Sequence, residues 1–508
     1  MVQRAASRRA YPTTRTVAFG ALWNVAGRAA PQLVAVVTTP LLINMLGPSR
    51  WGVFSLAMAL VGISGLLDLG IGRALTRGLA ERLHAGNEDQ AATLVKTGLL
   101  VLGALGVLGG LLAAAGAHPV AYHVINVKSA LRHETEMTLY VICLTIPTIV
   151  VNGALWGVIS ALDLFRAANI ANVVISALTY AGQLLILYAC NSLAAVMLVF
   201  LVGRVASLLV YWKLCHDALP SLGDGAFSRA DLRPLMRIGG WMTVSNVVFP
   251  ILTYADRVVI ASVLSAEAIG YYATPSDLMA RVHIVTGATV ISLFPAIAAS
   301  YRTDPARAVA LFGRSVVTVS AVLFPAAVLV GVFSNELLTL WIGADYASHA
   351  APVLRILAVG TLVGAADSIA ATLLDAIGLP RVNAKLSVCE LIVYVPVLFF
   401  ALHLFGFLGG AITQVVRMTI DFHIRIWLAR RYYPPVAAAA RRVTLTVLSG
   451  TALLLAPMAF AGLADKCAAV VVVTLLYGSF VYARSATAEE RLRVRSRMAA
   501  LVPAAWSR

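Results

Sequence analysis

The sequence predicts an all-α, polytopic membrane protein with about fourteen spanning helices, and three observations predict it. Of its 508 residues 60% are hydrophobic and 12% charged, with a mean hydropathy of +0.87. Soluble domains carry roughly twice that share of charge. The apolar residues fall in runs of the ~20 residues that cross a bilayer roughly 30 Å thick. Basic residues, finally, alternate from loop to loop. Of the 39 Lys and Arg, 27 lie in the N-terminal stretch, the C-terminal tail and every second loop. Only four (Arg50, Lys128, Arg132, Lys466) lie in the other loops, and the remaining eight are arginines within or at the ends of apolar runs. By the positive-inside rule both termini are expected in the cytoplasm. A net charge of +16 would suggest nucleic acid in a soluble protein, but its placement in membrane-flanking loops predicts no such partner.

The first element is a pair of apolar runs. Arg4, Arg8, Arg9 and Arg15 precede a run from Val17 to Leu46; the break Gly47-Pro48-Ser49-Arg50 follows, then a second run from Trp51 to about Ala74. The first run is too long for a signal-peptide core and ends in no small-residue cleavage pattern. A polar inner loop from Thr76 to Lys96 leads to helix three (about Thr97 to Ala117), rich in Gly and Ala and suited to close packing. The segment His118 to Glu136 reads as an external, merely solvated loop, and helix four (Met137 to Ser160) as kinked at Pro147. Helices five (Ile170 to Cys190) and six (Ser192 to Trp212) complete the first half.

Residues 213–238, with two prolines, two glycines and basic residues, form the clearest internal boundary. Helices seven (Gly239 to Val263) and eight (Gly270 to Ala298) repeat the opening pair, and helix nine follows the basic loop Arg302 to Arg314. An outer segment with Trp341 and Tyr346 suits the interface. Helices ten (Pro352 to Ile377), eleven (Leu386 to Leu404) and twelve (Phe407 to Leu428) end the second half. Two further runs, Val443 to Leu463 and Cys467 to Ala483, stand outside it, and the tail from Thr487 reads as a basic helix on the inner leaflet.

The halves are related by fixed offsets. Trp23, Leu46, Gly52 and Phe54 are matched 218 residues later by Trp241, Leu264, Gly270 and Tyr272. In a second register, offset 215, Leu139, Ala161, Leu164 and Arg166 meet Leu354, Ala376, Leu379 and Arg381. Transporters are often built from such repeats. The expected division is 1–222 (helices one to six), 223–428 (helices seven to twelve) and 429–508 (the last two helices and the tail).

Motifs for soluble-type catalysis are absent: there is no Gly-Lys dipeptide for a phosphate loop and no H-E-x-x-H, so no enzyme activity is expected. Cys143, Cys190, Cys215, Cys389 and Cys467 have no paired spacing, and neither a metal nor a cofactor is expected. The informative residues are charges inside apolar runs, each costing at least ~2.5 kcal/mol at mid-depth on insertion scales. Arg28, Arg204, Arg281 and Arg417 lie well inside helices one, six, eight and twelve, and Arg257 sits near the outer end of helix seven. On helix twelve Gln414, Arg417, Asp421 and Arg425 share one face. The acids Asp256, Asp277, Asp367, Glu390 and Asp421 either neutralise arginines or couple an ion. Arginine forks at mid-depth suit an anionic ligand such as phosphate, and the first four arginines are expected to open onto one wet central space.

Leu67-Asp68-Leu69-Gly70-Ile71-Gly72-Arg73-Ala74 in the first half resembles a known family, as do Tyr254-Ala-Asp256-Arg257-Val-Val-Ile260 and Ile269-Gly270-Tyr271-Tyr272 in the second. The family is the polysaccharide flippases, lipid-carrier translocases of the multidrug/oligosaccharidyl-lipid/polysaccharide (MOP) exporter superfamily. The resemblance implies a MATE-like fold, with two six-helix bundles around a cavity plus two C-terminal helices. It also implies a substrate, an undecaprenyl-pyrophosphate-linked oligosaccharide moved from the inner to the outer leaflet of a bacterial inner membrane by alternating access. A polysaccharide polymerase and export machinery would be partners. A lipid II flippase and a multidrug antiporter share the fold; the arginine-rich interior argues against the antiporter. A membrane polymerase or ligase would need larger external loops.

Overall fold

The structure, a computed structural model, describes residues 14–68, 70–223 and 225–485, with side chains left aside at 14–26, 28–29, 233–249 and 484–485. The basic N-terminal stretch before Thr14 and the tail from Thr487 lie outside the described residues. Among those residues the chain is helical and contains no strand. It is an all-α polytopic membrane protein.

The opening pair divides where the sequence breaks. Helical hydrogen bonding runs over Thr14–Ser64, but Gly47 interrupts it at φ 74°, ψ 165°. A side chain resists that backbone. The stretch is therefore two arms, α1 (14–46) and α2 (48–64). The second run does not reach Ala74 as one helix. A 3-10 turn, Gly65–Asp68, ends it, and α3 (Ile71–His84) begins with Asp68 Oδ1 accepting the Gly72 amide at 2.8 Å. Residues after Thr76, expected as loop, belong to α3 because Ile71, Leu75, Leu79 and Leu83 recur on one face and bury it.

The next helix, α4 (Glu88–Pro119), starts earlier than Thr97, with Glu88 and Asp89 in the first turn where acids suit the helix dipole. It packs on α5 (Ser129–Ala161) at very short range: a Cβ on Gly106 or Gly110 would meet Pro147 Cα or the Cys143 carbonyl oxygen at 2.8 Å. The Gly-rich composition of α4 is thus used for close approach. Then come α6 (Phe165–Cys190) and α7 (Leu193–Ala218), whose exposed Val174, Leu178, Leu185 and Leu209 form an apolar face suited to lipid. After a short 3-10 turn, α8 (Arg229–Val263) opens with Ser228 Oγ accepting from the Asp231 amide at 3.3 Å.

Contacts group the chain into two compact units, 1–270 and 271–508. The core of the first holds Leu75 and Leu79 of α3, Val95 of α4 and Leu155 of α5, with Tyr211 and Cys215 of α7. At its end begins α9 (Ala266–Val282), which carries into the second unit. The eighth apolar run, expected as one helix, is two: α9 and α10 (Ile284–Ser300) meet at 44° around His283. The second unit continues with α11 (Pro305–Val332), the short α12 (Ser334–Trp341) and the deeply buried α13 (Ala344–Ala376). It ends with α14 (Pro380–Phe405), α15 (Leu408–Tyr432), α16 (Ala437–Leu455) and α17 (Leu463–Ser485). Phe324 of α11 stacks on Tyr477 of α17 with ring centroids 4.0 Å apart, so the two extra helices share this unit's core. The divisions at 222/223 and 428/429 follow sequence register, and homologous halves remain our proposal.

Among the described residues ten helices are long and apolar enough to cross a bilayer, or eleven with the bent pair α9–α10 as one span. The kinked α1–α2 stretch enters that count as a single span, and α15 is too rich in charge to pass. Fourteen crossings stay an expectation, and reporter fusions test it. Gly86, Gly225 and Arg431 should report cytoplasm, and Ser129 and Asp345 the outer side; one reversed pair would break the map.

Candidate functional site

In the first unit Arg204 projects from α7. Its guanidinium lies 4.8 Å from the centroid of the Phe200 ring, an arrangement that stabilises a partly desolvated cation. Its own carbonyl accepts from Asn152 Nδ2 of α5 at 3.0 Å, which fixes the α5–α7 contact beside it. Among the described residues no carboxylate pairs with Arg204. Arg28 sits on α1, and its side chain lies outside the described ones. Near it Asn172 Nδ2 of α6 reaches the Gly27 carbonyl at 3.4 Å. Asp256 and Arg257 are both buried on α8, with Asp256 Oδ1 accepting the Arg257 amide at 2.7 Å and the Arg257 guanidinium 5.5 Å from the Tyr254 ring.

In the second unit the predicted face of α15 is real and heavily engaged. Tyr272 of α9 donates to Gln414 Oε1 at 3.0 Å. One turn on, Arg417 bonds Glu390 of α14 and lies 5.1 Å from the Tyr394 ring. Two turns further, Arg425 bonds Asp367 of α13 and donates through Nε to Asn383 Oδ1 at 3.2 Å, while its Nη2 stands 3.8 Å from Glu390 Oε2. Buried Asp421 faces the same Glu390 carboxyl. Asn383 closes the chain by donating to Asp375 Oδ1 at 3.1 Å. Helices α13, α14 and α15 are thus joined by two arginines among three carboxylates (Asp367, Glu390, Asp421). In a low-dielectric interior such charges persist only when paired and hydrogen-bonded. Asp277 and Arg281 are half-buried on α9, just before the bend at His283.

The structure therefore brings together Gln414, Arg417, Arg425, Asp367, Glu390 and Asp421, and separately Asp256 with Arg257. It engages Arg417 and Arg425 with carboxylates, which the spacing on α15 alone did not foretell. Sequence reasoning missed Tyr394, Asn383 and Asn152, each a single residue on another helix that no local spacing marks, and it singled out Tyr272 for the repeat and the family motif but not for this site. Among the described residues no group of His, Cys, Asp or Glu is placed to hold a metal ion.

Comparisons with known proteins bear on this arrangement. A model of the polysaccharide biosynthesis protein family matches residues 17–300. A Shigella flexneri protein named as a candidate O-antigen transporter is 24% identical over 410 residues, covering 81% of this chain and 97% of its own. Among solved structures, an inward-facing multidrug resistance MATE family transporter of the MOP superfamily aligns with a TM-score of 0.69 at 14% identity, over 83% of this chain and 98% of that one. The lipid II flippase MurJ, in an inward closed conformation, aligns with a TM-score of 0.69 at 12% identity, over 91% and 98%. A MOP superfamily transporter from Pyrococcus furiosus gives 0.57 at 15% identity, over 82% and 93%. These structural likenesses carry the fold alone: the chain shares the helical fold of these transporters.

Proposed function

The chain belongs to the polysaccharide biosynthesis protein family, and we propose that it is a flippase for a polyprenyl-pyrophosphate-linked oligosaccharide. The substrate moves from the cytoplasmic to the outer leaflet of a bacterial inner membrane, with no covalent step. The observation that carries the anionic part of this reading is Arg204, a mid-helix guanidinium with an aromatic partner and no carboxylate among the described residues. Such a cation is costly in a membrane unless a ligand repays it. Arg28, Arg257 and Arg281 are candidates to join it. Arg417 and Arg425, with Gln414 between Tyr272 and the network, would meet an anion only by exchanging partners. Asp256, Asp277, Asp367, Glu390 and Asp421 are the candidates for ion coupling or structural pairing.

The carrier's polyprenyl chain would stay in lipid while the pyrophosphate and glycan cross in water. Two negative charges moving outward through the whole of an inside-negative field gain about 4.6 kcal/mol per 100 mV. A polymerase and export machinery would receive the product. Purified protein in liposomes should move a pyrophosphate-linked oligosaccharide between leaflets, and cells depleted of it should accumulate that lipid on the inner side. Accumulation of lipid II instead would replace the substrate, and a protein that moves neither lipid between leaflets in liposomes would remove the flippase reading.

A further inference from the structure

The contact of α5 with α7 leaves one polar atom unsatisfied. Asn152 of α5 is 8% exposed, and its Nδ2 donates to the Arg204 carbonyl at 3.0 Å. Its Oδ1 is buried and accepts no hydrogen bond among the described residues. The nitrogen alone accounts for the brace between the two helices. The oxygen costs stability where it stands, because a buried acceptor gives up its water and receives no donor in exchange. Such an atom in a folded interior calls for a partner that the chain itself does not supply.

The surroundings narrow what that partner is. The two ends of the amide share one carbon, so the bare oxygen also lies against the Arg204 stretch of α7. Arg204 is half-buried, with its guanidinium 4.8 Å from the Phe200 ring centroid. The phenols of Tyr211 and Tyr180 stand within electrostatic reach of it. Tyr211 is buried and packs on Trp156 of α5, with ring centroids 5.8 Å apart. Gly203 admits α6 beside the arginine, since a Cβ there would collide with Thr179 Oγ1. Helices α5, α6 and α7 thus meet around a cation, aromatic rings and a bare acceptor. A ligand that satisfies both polar groups carries negative charge for Arg204 and, next to it, a hydrogen to donate to Asn152.

A pyrophosphate that links two alcohols is a diester, with charge on both phosphates and no hydroxyl on either. The polyprenyl chain has no donor. The hydrogen must then come from the first sugar, whose hydroxyl groups stand close to the anomeric phosphate. We propose that Arg204 and Asn152 form a subsite for the junction of pyrophosphate and first sugar, with Asn152 Oδ1 accepting from a hydroxyl or amide N–H of that sugar. The subsite rests on the flippase reading and adds a choice to it: Asn152 favours the loaded carrier over the bare one. A site built around a hydrogen bond discriminates against the ligand that lacks the donor, because its own acceptor is then buried unpaired.

Two soluble probes test the subsite on the purified full-length protein in detergent. One is farnesyl pyrophosphate; the other is the same molecule esterified at its terminal phosphate with a hexose. Binding is measured at about pH 8, where a phosphate monoester with a second pKa of about 6 keeps no proton to donate. Asn152→Ala should weaken binding of the hexose-bearing probe about five- to ten-fold, as loss of a hydrogen bond does, and leave farnesyl pyrophosphate within about two-fold. Asn152→Leu, which fills a similar volume without an acceptor, should give the same split and serves if the alanine variant does not fold. Arg204→Ala should weaken both probes. Equal weakening of both probes by the Asn152 variants would make Asn152 a brace alone and overturn the subsite, as would unchanged binding of both. A native protein that binds neither probe would overturn the flippase reading and the subsite with it.

Discussion

Arg204→Ala is expected to cut export of surface polysaccharide about ten- to hundred-fold while leaving the amount of inserted protein unchanged. The two halves of that expectation come from the same geometry. Arg204 has the Phe200 face beneath it and, among the described residues, no carboxylate, so removing it strands no buried counter-charge. The membrane cost of the guanidinium, ~2.5 kcal/mol or more on insertion scales, is relieved at the same time. What is lost is a charge-assisted contact to phosphate, worth about 1.5–3 kcal/mol, or roughly a ten- to hundred-fold fall in the rate of transport. Arg204→Lys should restore only part of it, because an ammonium cannot fork onto two phosphate oxygens. Arg302, exposed at the end of α10, should tolerate the same alanine change. Export and membrane-inserted protein are read side by side in cells lacking the native copy. Full export by Arg204→Ala would remove the anion site from α7.

The parts of the fold legible in the sequence were those written in long-range composition. Among the described residues the apolar runs are almost wholly helical, since a bilayer leaves the backbone few other ways to satisfy itself. Helix ends were less legible. Hydropathy stops at Ala74 and resumes at Thr97, but α3 and the start of α4 are held by one buried face rather than by lipid, and a face of period 3.6 is diluted in a hydropathy average. The bend at His283 has no proline or glycine at it, so nothing local announced it.

The candidate site was legible residue by residue but not in its pairing. The rows Gln414, Arg417, Asp421 and Arg425 share a face because the α-helix repeats every 3.6 residues, and that follows from spacing alone. Their partners come from α9, α13 and α14, and only folding decides which carboxylate meets which guanidinium. Asp421 and Arg425, one turn apart, look like natural partners in the sequence. In the structure Arg425 instead takes Asp367, and Asp421 turns to Glu390.

That pairing makes Arg417→Ala the substitution with the largest expected effect on stability. Arg417 and Arg425 stand against Asp367, Glu390 and Asp421 inside the second unit, and Glu390 is bonded by Arg417 while it faces Asp421. Without Arg417 the Glu390 carboxylate keeps only Arg425 Nη2 at 3.8 Å, beyond hydrogen-bond range, and meets a second carboxyl at close quarters. Breaking one side of a buried pair typically costs about 3–5 kcal/mol, a large part of a domain's whole margin. Arg417→Ala should therefore lower both the yield of folded protein in the membrane and its melting temperature in detergent. Glu390→Gln added to it should recover most of that loss, because the stranded charge is gone and an amide can still accept and donate. The double variant separates structure from transport. If it folds but exports nothing, the pair also serves the transport cycle; if it folds and exports normally, the pair is a brace between α14 and α15. Arg417→Ala that is as stable as the parent would contradict the clamp itself, and would return Arg417 to the set of arginines free to hold an anion.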